Sequence, residues 1–90
     1  MRIRALIVEA GRREHIAEHG IELHEVAEVV FDEPFVTRTR LERYRLIGQT
    51  MAGRYLIIII VPRGGGVYGL VTARDADQSE RRRYLEHRRR

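Results

Sequence analysis

Seven consecutive apolar residues, Tyr55-Leu56-Ile57-Ile58-Ile59-Ile60-Val61, constrain the fold of this chain more than any other segment. Isoleucine and valine are branched at Cβ, stiff at χ1, and suited to a pleated strand. A strand built from this run is apolar on both faces. It must therefore lie at the centre of a sheet and be covered on both sides. Left at an edge it would invite aggregation. The run is also far short of the roughly 20 residues that a membrane-spanning helix needs.

The flanking segments supply the rest of a small sheet. Ile3 to Val8 reads as a short strand that Gly11 breaks. Arg12 to His19 reads as a helix of two turns closed by Gly20 at C′. In the next segment Leu23, Val26, Ala27, Val30 and Phe31 form one helical stripe, ended by Asp32-Glu33-Pro34. Phe35 to Arg40 reads as an edge strand, and Arg43 to Ile47 as a better strand stopped by Gly48. Arg54 to Val61 is the central strand, Pro62 to Gly66 a turn, and Val67 to Thr72 its hairpin partner. Gly69 inside that partner suggests a bulge or a close backbone approach. Asp77 and Glu80 have capping-box spacing for a last helix running to about His87, with residues 88–90 as a frayed tail. The expected architecture is α+β: a short N-terminal strand, two helices, an antiparallel meander sheet of three or four strands, and a C-terminal helix. Residues 1–87 are expected to form a single domain.

Charge is divided along the chain. Residues 1–36 hold four arginines and eight acids, a net of −4, whereas residues 37–90 hold thirteen arginines and five acids, a net of +8. Such a split in one small domain predicts an acidic face and a basic face, the latter attractive to RNA, DNA or an acidic protein. All basic residues apart from histidine are arginine, whose planar fork matches phosphate oxygens in pairs. The absence of cysteine excludes disulfides and thiolate chemistry. His15 and His19 are four apart, a usable zinc spacing, but no third ligand stands out, and no metal or cofactor is expected. Gly64-Gly65-Gly66 lacks the Lys-Ser/Thr pair and helix of a phosphate loop. The expected location is cytoplasmic.

Several segments in order resemble the BrnT family of bacterial type II toxins. They are His19-Gly20-Ile21, Glu25 to Phe31 with Asp32-Glu33-Pro34, Arg43-Tyr44 leading to Ile47-Gly48, Gly53-Arg54 before the aliphatic strand, Thr72-Ala73-Arg74, and Glu80 with Tyr84. The resemblance spans about His15 to Tyr84. It implies a compact ribonuclease with a fold related to RelE, neutralised by a small ribbon-helix-helix antitoxin of the BrnA type. It also marks three departures. Ile7-Val8 stands where a Trp-Asp pair is usual, Glu18 where a lysine is usual, and Gly69 where an arginine is often found.

RNA can be cut without a metal when its 2′-OH attacks the adjacent phosphate. The protein then orients the groups, stabilises the added negative charge and moves protons. The resemblance and the residue chemistry together nominate Arg74 as the phosphate clamp, Arg43 or Arg45 as a second contact, and His19 as general base. Arg54, Arg81, Arg82 and Tyr84 are nominated for RNA binding. Plainer roles compete. Arg74 could pair with Asp75, Asp77 or Glu80 and hold the last helix. His19 could cap helix carbonyls, and the tyrosines could be packing residues. The alternative function is a non-catalytic RNA- or protein-binding module of the same fold. A dimer or a hetero-oligomer with the antitoxin is the expected assembly.

Overall fold

A computed structural model describes residues 1–89. The elements are β1 (Ala5–Ile7), α1 (Arg12–Ala17), α2 (Leu23–Val30), β2 (Phe35–Arg38), β3 (Tyr44–Gln49), β4 (Tyr55–Gly64), β5 (Val67–Asp75) and α3 (Gln78–Arg88). The strand order is β1-β5-β4-β3-β2, which puts the isoleucine run in the middle. Its side chains divide by alternation. Leu56, Ile58 and Ile60 pack with Leu46, Leu70 and the residues of α1 and α2. Ile57 packs on the other face with Ile47 and Tyr84 of α3, and Ile59 lies against that cluster. Both faces of β4 are thus covered in its first half, as its composition requires, whereas Ile59 and Val61 further along stay half-buried on the α3 side.

The two faces also divide the charge in part. Helices α1 and α2 lie on one side of the sheet, where α2 carries Glu25 and Glu28 and no arginine but α1 carries Arg12 and Arg13 beside Glu14; the arginine-rich α3 lies on the other.

The meander β2–β5 is antiparallel, but the sheet has five strands and is mixed, because β1 joins it parallel to β5. An isolated β1 would leave Leu6 and its backbone groups unpaired; pairing Ala5–Ile7 with Val67–Gly69 satisfies both. The hairpin is also longer than the sequence suggested. β4 continues through Pro62 and Arg63, and β5 extends to Asp75. Only Gly65 and Gly66 form the turn, with φ of 62° and 82°, the backbone that a two-residue type I′ hairpin demands.

Gly48 does not stop β3. It lies buried inside the strand, where a Cβ would meet Val29 Cγ1 at 2.7 Å, so its role is to let α2 approach the sheet. That approach also turns α2 from its expected stripe. Val26, Val29 and Val30 are buried, whereas Ala27 and Phe31 face outward. The last helix extends one residue beyond His87, to Arg88; of the expected frayed tail, residue 90 lies outside the described residues.

Candidate functional site

The end of β5 and the start of α3 are locked together by one carboxylate. Asp77 caps the helix: its Oδ1 accepts from the Glu80 N–H at 2.8 Å, and Glu80 Oε1 accepts from the Asp77 N–H at 2.9 Å. This is the expected capping box. The same Glu80 side chain, 10% exposed, receives both terminal nitrogens of Arg74 at 2.8 Å each. Arg45 on β3 approaches Glu80 Oε2 from the other side at 4.0 Å. The fork of Arg74 holds the Glu80 carboxyl down at about 2, helped by the Asp77 N–H and the Arg45 charge. The Glu80 carboxylate in turn raises Arg74 above its ordinary value. Arg45 Nε also donates to Thr37 Oγ1 at 3.3 Å, fixing its stem along the sheet.

Sheet register explains why these groups meet. Arg74 stands opposite Ile57, and Arg45 and Thr72 stand opposite Ile59. Paired residues point to the same face, so all three lie on the α3 side. By the same alternation Arg43, one step outside β3, lies on the Arg45 side at the strand's start. Helix α3 covers only one end of this face, packing on Tyr55, Ile57, Ile47 and Phe35. Beyond it, half-buried Ile59 and Val61 form an open apolar shelf bordered by arginines.

The second part of the site comes from α1. Beyond the short β1, the edge of β5 is sealed by this helix. Arg12 Nη1 donates to Val71 O at 3.1 Å, and His15 Nε2 lies 3.0 Å from Thr72 Oγ1. The β4–β5 register shifts at this point, which leaves Val71 as the extra residue. His15 is therefore brought to the strand position two before Arg74, on the Arg74 side. The His19 ring stands edge-on to His15, with centroids 5.5 Å apart. The turn after α1 is a Schellman motif: Gly20, at φ 72°, donates to Ala17 O at 2.9 Å, and Ile21 donates to Ile16 O at 3.1 Å.

Arg54 braces that turn. It donates to Asp75 Oδ1 at 2.7 Å and Oδ2 at 3.0 Å, to Gly20 O at 2.7 Å, and to Glu25 Oε1 at 3.2 Å. Its pKa is raised, chiefly by Asp75, and the Asp75 carboxyl is lowered, chiefly by Arg54. This corrects the reading of Arg54 as an RNA contact: its fork is taken up in holding the His19 turn to the end of β5. Tyr84 needs the same correction. It is 2% exposed, packed edge-on to Tyr55, with its hydroxyl accepting from Arg88 at 3.1 Å. A base cannot stack on it; Tyr84 anchors α3. Of the helix arginines, Arg81 lies over the Tyr55 ring at 4.5 Å, Arg83 over Phe35 at 5.5 Å, and Arg82 is exposed.

The structure thus groups Arg74, Arg45 and Arg43 on one face and brings the His15–His19 pair to its β5 edge. The sequence marked Thr72 only as part of the Thr72-Ala73-Arg74 signature, with no role of its own, and His15 only as a possible metal ligand. The signal was present in the i, i+4 spacing that puts His15 and His19 on one side of α1.

Comparison with known proteins agrees with this architecture. A family model described as the ribonuclease toxin BrnT of type II toxin-antitoxin systems matches residues 9–80. The crystal structure of the Brucella abortus ribonuclease toxin BrnT superposes with a TM-score of 0.68 at 22% identity, covering 82% of this chain and 97% of that one. At that identity the likeness establishes the fold. No curated protein sequence matches.

Proposed function

This chain belongs to the BrnT family of ribonuclease toxins of type II toxin-antitoxin systems, and from that premise we propose that it cuts RNA on the open half of the sheet beside α3. The observation that supports this most is the convergence of Arg74 and Arg45 on one face, with a histidine pair at its edge. In the proposed reaction the 2′-OH attacks its neighbouring phosphorus, and a bond to the 5′-oxygen breaks. The products are a 2′,3′-cyclic phosphate and a 5′-OH. Arg74 and Arg45 hold the phosphate oxygens, where charge builds in the transition state, with Arg43 a further contact along β3. His19 takes the 2′-OH proton, and the departing 5′-oxygen takes a proton from solvent water to become the 5′-OH. No step requires a metal ion. Arg81 and Arg82 lie on the exposed side of α3, where flanking phosphates would pass.

Growth after induced expression tests the proposal. Arrest with decay of total RNA on a gel is expected; healthy growth with intact RNA would contradict it. The base assignment has its own test. His19→Ala should slow cutting by about 100-fold, with His15→Ala as the comparison. If only His15→Ala abolished cutting, the proton would belong to His15.

One observation favours the non-catalytic alternative: in the structure both terminal nitrogens of Arg74 already hold Glu80. Its side chain is nevertheless 47% exposed, which leaves a side from which phosphate can approach.

The partner in this reading is a ribbon-helix-helix antitoxin whose acidic segment covers Arg45 and Arg74. Changing both arginines to glutamate should abolish complex formation in pull-down. Unchanged binding would place the antitoxin elsewhere. No helix among the described residues is long and apolar enough to cross a membrane, and a cytoplasmic location fits an RNA-cutting role.

A further inference from the structure

The open face has a second end, where the β4–β5 hairpin carries Arg63. Gly69 lies opposite Val61 in β5, and a Cβ built on it would sit 3.5 Å from Val61 Cγ1, so both face the α3 side. The same Cβ would meet Arg63 Nε at 3.0 Å and Nη2 at 3.3 Å. Gly69 is buried, and its backbone is outside the left-handed region that favours glycine. What it provides is room: the Arg63 fork lies across the strand where a side chain would stand. Glu9, just after β1, pairs with Arg63 Nη2 and sets its orientation. Both partners of that pair are about half exposed, 44% for Arg63 and 54% for Glu9, so water screens it and an anion can compete for the fork.

From this placement we infer that Arg63 is a backbone-phosphate contact for a single-stranded RNA lying along the shelf from Arg74 to the hairpin. The inference rests on the proposed function and extends its binding track. Along β4 the Arg74 row and Arg63 are separated by six residues, about 20 Å at roughly 3.3 Å per residue. Ile59 and Val61 floor the stretch between them, with Arg45 beside it. An extended strand laid on this floor meets guanidinium groups at both ends. Each phosphate neutralised releases counterions and steepens the salt dependence of binding by about 0.7 in a log–log plot for a single strand.

The test is the salt dependence of binding to a fluorescein-labelled, 2′-O-methylated 12-nucleotide RNA, which the protein cannot cut by 2′-OH attack. Wild type, Arg63→Ala, Arg63→Lys, Gly69→Ala and Arg45→Ala are compared by anisotropy. Arg63→Ala should flatten the slope by about 0.7, and Arg63→Lys should retain it. Gly69→Ala asks the half-exposed fork to shift by only a few tenths of an ångström, so it should lower affinity less than Arg63→Ala; a larger loss than Arg63→Ala would place the effect on the strand and not on the fork. If Arg63→Ala matches wild type while Arg45→Ala loses slope, the inference fails and the shelf reading stands. If wild type does not bind the RNA, both fail.

Discussion

Replacing Arg74 by alanine should lower RNA cutting by roughly 10³-fold, with growth arrest lost on induced expression. The size follows from where the charge sits. An arginine at the phosphorus acts on charge that appears only in the transition state, so its loss falls on the chemical step. Arg45, 4.0 Å from Glu80 on the neighbouring side, supplies a second cation but not the same geometry. Binding should respond differently, since losing one cation among several weakens affinity modestly and mainly flattens the salt dependence. Single-turnover rates and anisotropy on the same variant separate the two effects. A rate within tenfold of wild type would show that Arg74 serves only to hold α3.

The second large effect concerns stability. Glu80→Ala should cost about 3 kcal/mol in urea unfolding at neutral pH, because a carboxyl held at about 2 rather than 4.5 favours the folded state by that amount. The sign is fixed by the direction of the shift. Above 4.5 the carboxylate is charged in both states, and its interaction with Arg74 is fully present. As the pH falls below 4.5 the unfolded chain takes up the proton first, so the contribution fades and is gone below about 2. Wild type should lose stability across that window, and Glu80→Ala should lose much less. Asp75, whose carboxyl is lowered by Arg54, leaves a residual slope in the variant. The helix is sensitive because little else anchors it: Tyr84 is its other buried residue. Equal pH profiles for the two proteins would show that the Glu80–Arg74 pair does not hold α3.

Much of this was legible in local sequence. The isoleucine run declared a central strand because no other position tolerates two apolar faces. Asp77 and Glu80 declared a helix start because the cap needs both side chains at that spacing. Gly20 declared a C′ position for the same kind of reason. Tertiary facts were harder to see. Nothing local says that Ala5–Ile7 pairs parallel with β5, or that α1 seals the rest of that edge. The burial of Gly48 under Val29 depends on how closely α2 approaches, and that approach rotates the helix away from its best sequence stripe. The site residues followed the same division. Arg74 and Arg45 could be nominated by type and strand position. The commitment of Arg54 to Asp75, and the delivery of His15 to Thr72, needed the chain to be folded.

The most direct measurement is to incubate the purified protein with a defined RNA in excess chelator and to identify the ends produced. A matched substrate with 2′-deoxyribose at the cut site serves as the control. Fragments carrying 2′,3′-cyclic phosphate and 5′-OH ends, with the deoxy substrate intact, are the expected result. An uncut RNA, or cutting of the deoxy substrate to 3′-OH ends, would contradict a metal-independent ribonuclease working by 2′-OH attack.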